Sequence, residues 1–270
     1  MNLQGRIELA AHLRSASQVA KVVTEDWCNR ELYCPVCDSE RLLQERPNSR
    51  ACDFTCVRCS ERFELKSGRC WSHTRIPDAA YGAMIAAIRS DQTPNLFVMQ
   101  YSPNWSVENL LLIPRYFFVE SAIEKRTPLA ATARRAGWIG CNILLNRIAD
   151  EGKIGIVTGG TETPREQVRA LVKHTELLRT LPARVRGWTL DVLTAIQRLN
   201  QLEFSLADAY SFENHLARLH PENRNVRPKI RQQLQVLRDL GLLEFLGGAH
   251  YRFREKPHPS ERSLSRETNR

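Results

Sequence analysis

Two segments decide how this chain is read: YCPVC at residues 33–37 and RACDFTCVRCSERFELKS at residues 50–67. They carry Cys34, Cys37, Cys56 and Cys59, a C-x2-C…C-x2-C set with 18 residues between the pairs. Two intervening residues let both thiolates of a pair face one ion, and the spacing is that of a four-cysteine structural zinc site. A second pattern interleaves with the first. Asp53 precedes the second cysteine pair, and Glu64-Leu65-Lys66 follows it. From Arg62 to Ser67 the residues alternate, which puts Phe63 and Leu65 on one face of a strand and Glu64 and Lys66 on the other.

A hairpin whose turn is clipped by zinc brings Asp53, on the run entering the turn, beside Glu64 and Lys66 on the run leaving it. Two carboxylates offer oxygen ligands to a hard divalent cation, and an ammonium offers charge to a phosphate or to the attacking water. This is the D…(E/D)-x-K arrangement of metal-dependent nucleases. With 26% of residues charged, the bland alternative is a solvated strand face, and the rest of the chain has to decide.

A chain of 270 residues has room for one large domain or two modest ones. Its formal net charge of +9 favours a polyanionic partner. The last ninety residues hold 15 Lys+Arg against 10 Asp+Glu, so the basic excess is denser there. Four cysteines in zinc spacing argue for a reducing compartment, and Cys28, Cys52, Cys70 and Cys141 then read as ordinary thiols. No apolar run reaches membrane-spanning length and the N-terminus lacks a signal-peptide core, so a cytoplasmic protein is expected.

Along the chain, Arg6 to Leu32 reads mostly as helix, with Ser15 or Ser17 as a cap; Glu25 and Asp26 read as helix-surface residues, with an acid assisting the metal site as the alternative. Asp78 to Ser90 reads as a buried helix capped by Asp78. Asn95–Tyr101 and Val107–Ile113 read as strands joined at Pro103-Asn104, and Gly152–Thr158 as a last strand closed by Gly159-Gly160. Tyr116–Lys125 is a short helix candidate, and Thr163-Pro164 opens a helix through Leu181. The fold class is therefore mixed α/β over residues 1–182. Thr127 to Asn142 lacks periodicity. It holds Arg134, Arg135 and Trp138 between Gly137 and Gly140, a flat aromatic face with cations beside it that suits a nucleic acid.

A connector at Leu181–Gly187 separates a second pattern over 187–254. Three helices follow, the second capped by Ser205 and the third spanning Arg227–Leu240. A hairpin then turns at Gly247-Gly248, completing a winged helix-turn-helix. The third helix buries Ile230, Leu234 and Leu237. It turns Asn225, Pro228, Arg231, Gln232 and Gln235 outward with Lys229 flanking, and these are side chains suited to base edges in the major groove. His215 and His220 read as helix-surface residues. Residues 255–270 read as a disordered tail.

TEDW, YCPVC, DFTCVRCSERFELKS, TARRAGWIGCNI and KIRQQLQVLRDLG, in this order from about Val22 to Arg252, resemble the DpnI type of methyl-directed restriction endonuclease. The resemblance implies a PD-(D/E)xK endonuclease domain with an inserted zinc site, followed by a C-terminal winged helix. It implies Mg2+-dependent cleavage of double-stranded DNA at GATC carrying N6-methyladenine. Asp53, Glu64 and Lys66 would be the catalytic set, with Mg2+ on Asp53 and Glu64 and Zn2+ on the four cysteines. A bacterial defence enzyme, monomeric in solution, is the expected setting. The wing tip, residues 246–250, carries no Lys or Arg. The rival from another class is a zinc-containing winged-helix regulator that binds DNA without cutting it.

Overall fold

The computed structural model describes residues 1–46, 52–70 and 74–254; the tail expected at 255–270 lies outside them. A short 3-10 turn, Ile7–Ala10, precedes helix α1, Ala16–Glu31, so the helix expected from Arg6 is broken. The segment before it is tied to the loop at 102–106 instead, with the Gly5 N–H donating to the Trp105 carbonyl at 2.8 Å. Ser15 stands at the N-cap, but its hydroxyl bonds to that of Ser17 rather than to a helix N–H.

Strands β1 (Leu43–Gln44), β2 (Phe54–Thr55) and β3 (Arg62–Gly68) lead to β4 (Arg75–Ala80) and helix α2 (Tyr81–Arg89). Then come β5 (Asn95–Tyr101), β6 (Val107–Ile113), β7 (Ile123–Lys125), β8 (Gly140–Leu144), β9 (Ile154–Thr158), β10 (Thr161–Glu162) and helix α3 (Arg165–Thr175). One sheet runs β1-β2-β3-β5-β6-β9-β10, and a second, three-stranded, runs β4-β8-β7. β3 and β5 are parallel; the other neighbours in the large sheet are antiparallel.

Strands β5 and β6 have the limits expected of them, and β5 shows why the sheet is two-sided. Leu96 and Val98 enter one buried cluster while Phe97 and Met99 enter the other, the period-two alternation of a strand covered on both faces. Helices α1 and α3 cover the second cluster through Trp27, Val168 and Val172. Each such side chain, fully buried, contributes about 1.5–3 kcal/mol.

Several expectations need correction. Residues 78–80 are strand, not helix, and α2 begins at Tyr81 with no side-chain cap. Tyr116–Lys125 is two 3-10 turns and then strand β7, and β8 begins inside the aperiodic stretch. Short strands with few alternating positions leave little periodicity to detect. A further two-residue strand, β10, follows Gly159-Gly160.

The connector expected at 181–187 is mostly helix. Helix α4 spans Ala183–Gln197 with Pro182 at its N-cap. Strand β11 (Glu203–Ser205), α5 (Leu206–Tyr210), α6 (Glu213–Leu219), α7 (Val226–Asp239), β12 (Leu243–Gly247) and β13 (His250–Phe253) complete the chain. Ser205 caps α5 in a reciprocal capping box with Asp208, as expected, but the second helix is split into α5 and α6. Positive φ at Gly247 and Gly248 makes the wing turn, a conformation glycine adopts without steric cost.

The helix-turn-helix part is docked, not tethered. Trp188, Val192, Leu193 and Ile196 of α4 lie in the same buried cluster as Ile85, Ile88 and Phe117. Arg186, 3% exposed, pairs with Asp91 at 2.6 Å. Among the described residues, no helix is long and apolar enough to cross a membrane.

Candidate active site and metal centre

The four cysteines meet where α1 ends and the β2–β3 hairpin turns. The Cys34 N–H donates to the Ser39 carbonyl at 3.0 Å, and the Cys56 N–H to the Glu61 carbonyl at 2.9 Å, so each pair is wrapped by a tight turn. Arg169 of α3 pins the first turn by donating to the carbonyls of Cys34 and Ser39, both at 3.2 Å. The sulfurs lie 3.6 Å apart for Cys34–Cys59 and 3.5 Å for Cys37–Cys56, and all four fall within 4.8 Å of one another. Four sulfurs at a Zn–S distance of ~2.3 Å stand about 3.8 Å apart, so the cluster fits tetrahedral zinc. Burial raises the Cys34 thiol far above its ordinary range and takes Cys59 to about 11. Burial also opposes ionisation of Cys56, but the backbone N–H groups of Cys59 and Arg58 and neighbouring thiols outweigh it, to about 6. Crowded sulfurs that cannot all ionise alone are the donor set a dication stabilises.

The same hairpin builds the second site. Asp53 lies in the bend before β2, not on a strand. Its N–H donates to the Phe63 carbonyl at 2.9 Å, and its Oδ2 accepts from the Leu65 N–H at 2.7 Å. Glu64 and Lys66 project from β3 into the cleft. Lys66 Nζ stands 2.5 Å from Glu64 Oε1 and 2.7 Å from Asp78 Oδ1. Asp53, Glu64 and Lys66 line a cleft of about 590 Å³ together with Glu25, Lys21 and Thr24 of α1.

Glu25, Asp53 and Glu64 line the cleft with Lys21, Lys66 and Arg75, and Asp78 adds a fourth carboxylate beside it, paired with Lys66. Burial, then repulsion from Asp78, raises the Glu64 carboxyl; burial, then Asp53, raises Glu25 against the pull of Lys21. Burial pulls the Lys66 ammonium down, but Glu64 and Asp78 outweigh it and hold it firmly protonated. Asp53 and Glu64 offer hard oxygen donors of the kind a divalent cation takes.

One residue of this site escaped the sequence reading, and another was read there only as an alternative. Asp78 was expected to cap a helix; its side chain is 4% exposed beside the cleft, paired to Lys66. The only sequence signal was an acid amid an apolar run. Glu25 was expected on the helix surface, yet it lines the cleft and accepts from Gln44 at 3.0 Å. Its neighbour Asp26 does take the surface role, paired with Arg6 and Arg30.

The residues expected to face nucleic acid fall in two places. Arg134 and Arg135 are exposed on the segment before β8; the Arg135 guanidinium lies 4.9 Å over the half-buried Trp138 ring. A Cβ on Gly140 would come within 2.7 Å of that ring, so the glycine admits it. On α7, Asn225, Arg231, Gln232 and Gln235 are exposed, opposite the buried Ile230, Leu234 and Leu237. Lys229 donates to Gln232 at 2.9 Å. His220 is not a plain surface residue: it stacks on Trp188 at 3.7 Å and pairs with Asp191 at 2.8 Å. Asp191 is 29 positions away, too far in sequence to be read as its partner.

Residues 1–181 match the model of a family described as DpnI, Dam-replacing family, and residues 184–253 match one described as DpnI_C, Dam-replacing HTH domain.

Proposed function

The chain belongs to the Dam-replacing, or DpnI, family of methyl-directed restriction endonucleases, and from that premise we propose that it hydrolyses double-stranded DNA at GATC sites bearing N6-methyladenine. Catalysis is assigned to residues 1–182 and duplex reading to the winged helix that follows. The observation that carries this reading is the cleft in which Asp53 is bonded to the Leu65 N–H and Lys66 stands beside Glu64.

Asp53 and Glu64 would hold Mg2+, which when bound polarises a phosphoryl oxygen and lowers the pKa of a water. Lys66 supplies a fixed positive charge against the phosphate, where negative charge grows as the water oxygen–phosphorus bond forms and the bond to the departing 3′ oxygen breaks in line. The backbone bond from Leu65 keeps Asp53 in place, so little reorganisation accompanies the reaction. Cys34, Cys37, Cys56 and Cys59 would hold Zn2+, which when bound would clamp the turn between Asp53 and Glu64 and support the site without touching substrate.

Arg231, Gln232 and Gln235, with Asn225 and Lys229, are suited to the major groove. Trp138 with Arg134 and Arg135 offers an apolar face for the methyl group. The protein acts as a monomer in the bacterial cytoplasm.

The test is digestion of one plasmid prepared from adenine-methylating and from non-methylating hosts. Cleavage of the methylated preparation alone is the expected result. Cleavage of both preparations removes the methyl dependence. Binding without cleavage of either is the outcome of a non-cutting regulator and overturns the nuclease reading.

A further inference from the structure

The catalytic-type lysine has two carboxylate partners, and only one belongs to its own strand. Glu64 is two residues away on β3. Asp78 comes from β4, in the other sheet, and its side chain is 4% exposed with Oδ1 2.7 Å from Lys66 Nζ. A flexible four-carbon side chain held from two directions loses most of its rotamer freedom before substrate arrives.

Strand β4 pairs antiparallel with β8, with Asp78 opposite Cys141 and Ala80 opposite Gly140. The register slips between Asp78 and Ala80, and such an irregularity re-aims side chains next to it. The Cys141 thiol donates to the Ala79 carbonyl at 3.3 Å, and the Tyr81 N–H to the Ile139 carbonyl at 3.0 Å. Asp78 is therefore held on the strand pair into which the Trp138 segment runs.

We propose that Asp78 is a positioning residue for Lys66, fixing the amine from the second sheet and tying its place to the strand pair that continues into the Trp138 segment. Glu64 alone leaves the amine free to swing about one contact. Asp78 adds the second, and being buried it is a fixed point. The proposal rests on the nuclease reading above.

The test compares wild type, Asp78→Asn, Asp78→Glu, Lys66→Met and the double variant on methylated plasmid, under single-turnover conditions with saturating enzyme, with DNA affinity measured separately without divalent cation. Asp78→Asn should lower the cleavage rate about 100-fold, the order expected for a misplaced reacting group, while DNA affinity stays within about twofold. Asp78→Glu, which keeps the charge but moves it, should recover part of that loss. In the Lys66→Met background, Asp78→Asn should have no further effect, because residues acting through one another are not additive. Wild-type rates for Asp78→Asn, or equal losses with and without Lys66, overturn the proposal. If Asp78→Asn does not fold, Asp78→Glu decides, since an unchanged rate with that displaced carboxylate also overturns it. A wild-type protein that leaves methylated plasmid uncut refutes the nuclease reading and this inference with it, whereas cutting by wild type and by Asp78→Asn alike refutes only the inference.

Discussion

Oδ2 of Asp53 accepts a hydrogen bond from the backbone N–H of Leu65 at 2.7 Å, the residue between Glu64 and Lys66. That contact sets the acid on one arm of the hairpin against the acid and amine on the other. Its geometry depends on the turn between them, and the turn is where two of the four cysteines sit. The carboxylate–lysine cleft and the cysteine cluster are thus one construction, at the two ends of one hairpin.

Removing Asp53 or Lys66 separates chemistry from binding. Asp53→Ala and Lys66→Ala should each all but abolish cleavage of methylated plasmid, leaving a residual rate readable only with excess enzyme, while affinity for a GATC duplex stays within a few-fold, because the side chains proposed to read the duplex lie on the exposed face of α7. Side-by-side nicking and gel-shift assays measure both. Near-normal nicking by either variant removes that residue from the catalytic set.

Loss of the clip acts at a distance. Cys56→Ser should lower both thermal stability and activity, since structural zinc contributes folding free energy directly and its loss should loosen the hairpin that holds Asp53 and Glu64. Metal analysis of the purified protein should find zinc near one per chain, and a strong chelator should lower the Tm. Fully active protein without zinc would contradict the assignment.

Methyl discrimination should depend on Trp138. A methyl group in a fitted pocket is worth ~1–3 kcal/mol, or about 10- to 200-fold. Trp138→Ala should lose most cleavage of methylated GATC. Gly140→Ala should do so more mildly, because its Cβ would meet the ring within 2.7 Å and displace it without touching Asp53, Glu64 or Lys66. The readout is the ratio of cleavage rates on methylated and unmethylated duplexes, and an unchanged ratio in both variants rules Trp138 out as a reader.

On α7, Arg231→Ala and Gln232→Ala should each weaken binding to the specific duplex by about 1–3 kcal/mol, the value of one good base contact. Affinity for a scrambled duplex should change much less in Gln232→Ala than in Arg231→Ala, since only the arginine also attracts phosphate. Titrations at matched salt measure this. Equal losses on both duplexes for Gln232→Ala would place it outside base recognition.

The docking of the two parts has its own pH signature. Burial alone would raise the Asp91 carboxyl, but Arg186 and Arg115 outweigh it and hold it below the usual carboxylate range. A depressed folded-state value contributes stability above the unfolded pKa of about 3.9, and that stability is lost as pH falls through the folded value. Asp91→Ala leaves the buried Arg186 without its carboxylate and should cost about 1–3 kcal/mol at neutral pH. The Tm gap to wild type should narrow in acid below about pH 4. A gap independent of pH would mean that packing, not charge, makes the contribution.

Cysteine spacing, the Glu64-Leu65-Lys66 alternation and the stripe of Ile230, Leu234 and Leu237 are local patterns, and each was legible because the partners lie within one turn, one strand or one helix face. Those patterns alone determined the four-cysteine cluster, the strand bearing the acid and amine, and the outward face of α7. The tertiary structure decided what depends on contacts between distant segments. It put Asp78 against Lys66 rather than at a helix start, brought Glu25 into the cleft, paired His220 with Asp191, and turned the connector at 183–187 into a helix buried against the first core. An isolated acid carries no mark of the partner it will meet. Its role depends on which strand lies across from it, and that depends on how two sheets and a docked helical unit pack, a property of the whole chain rather than of any stretch within it.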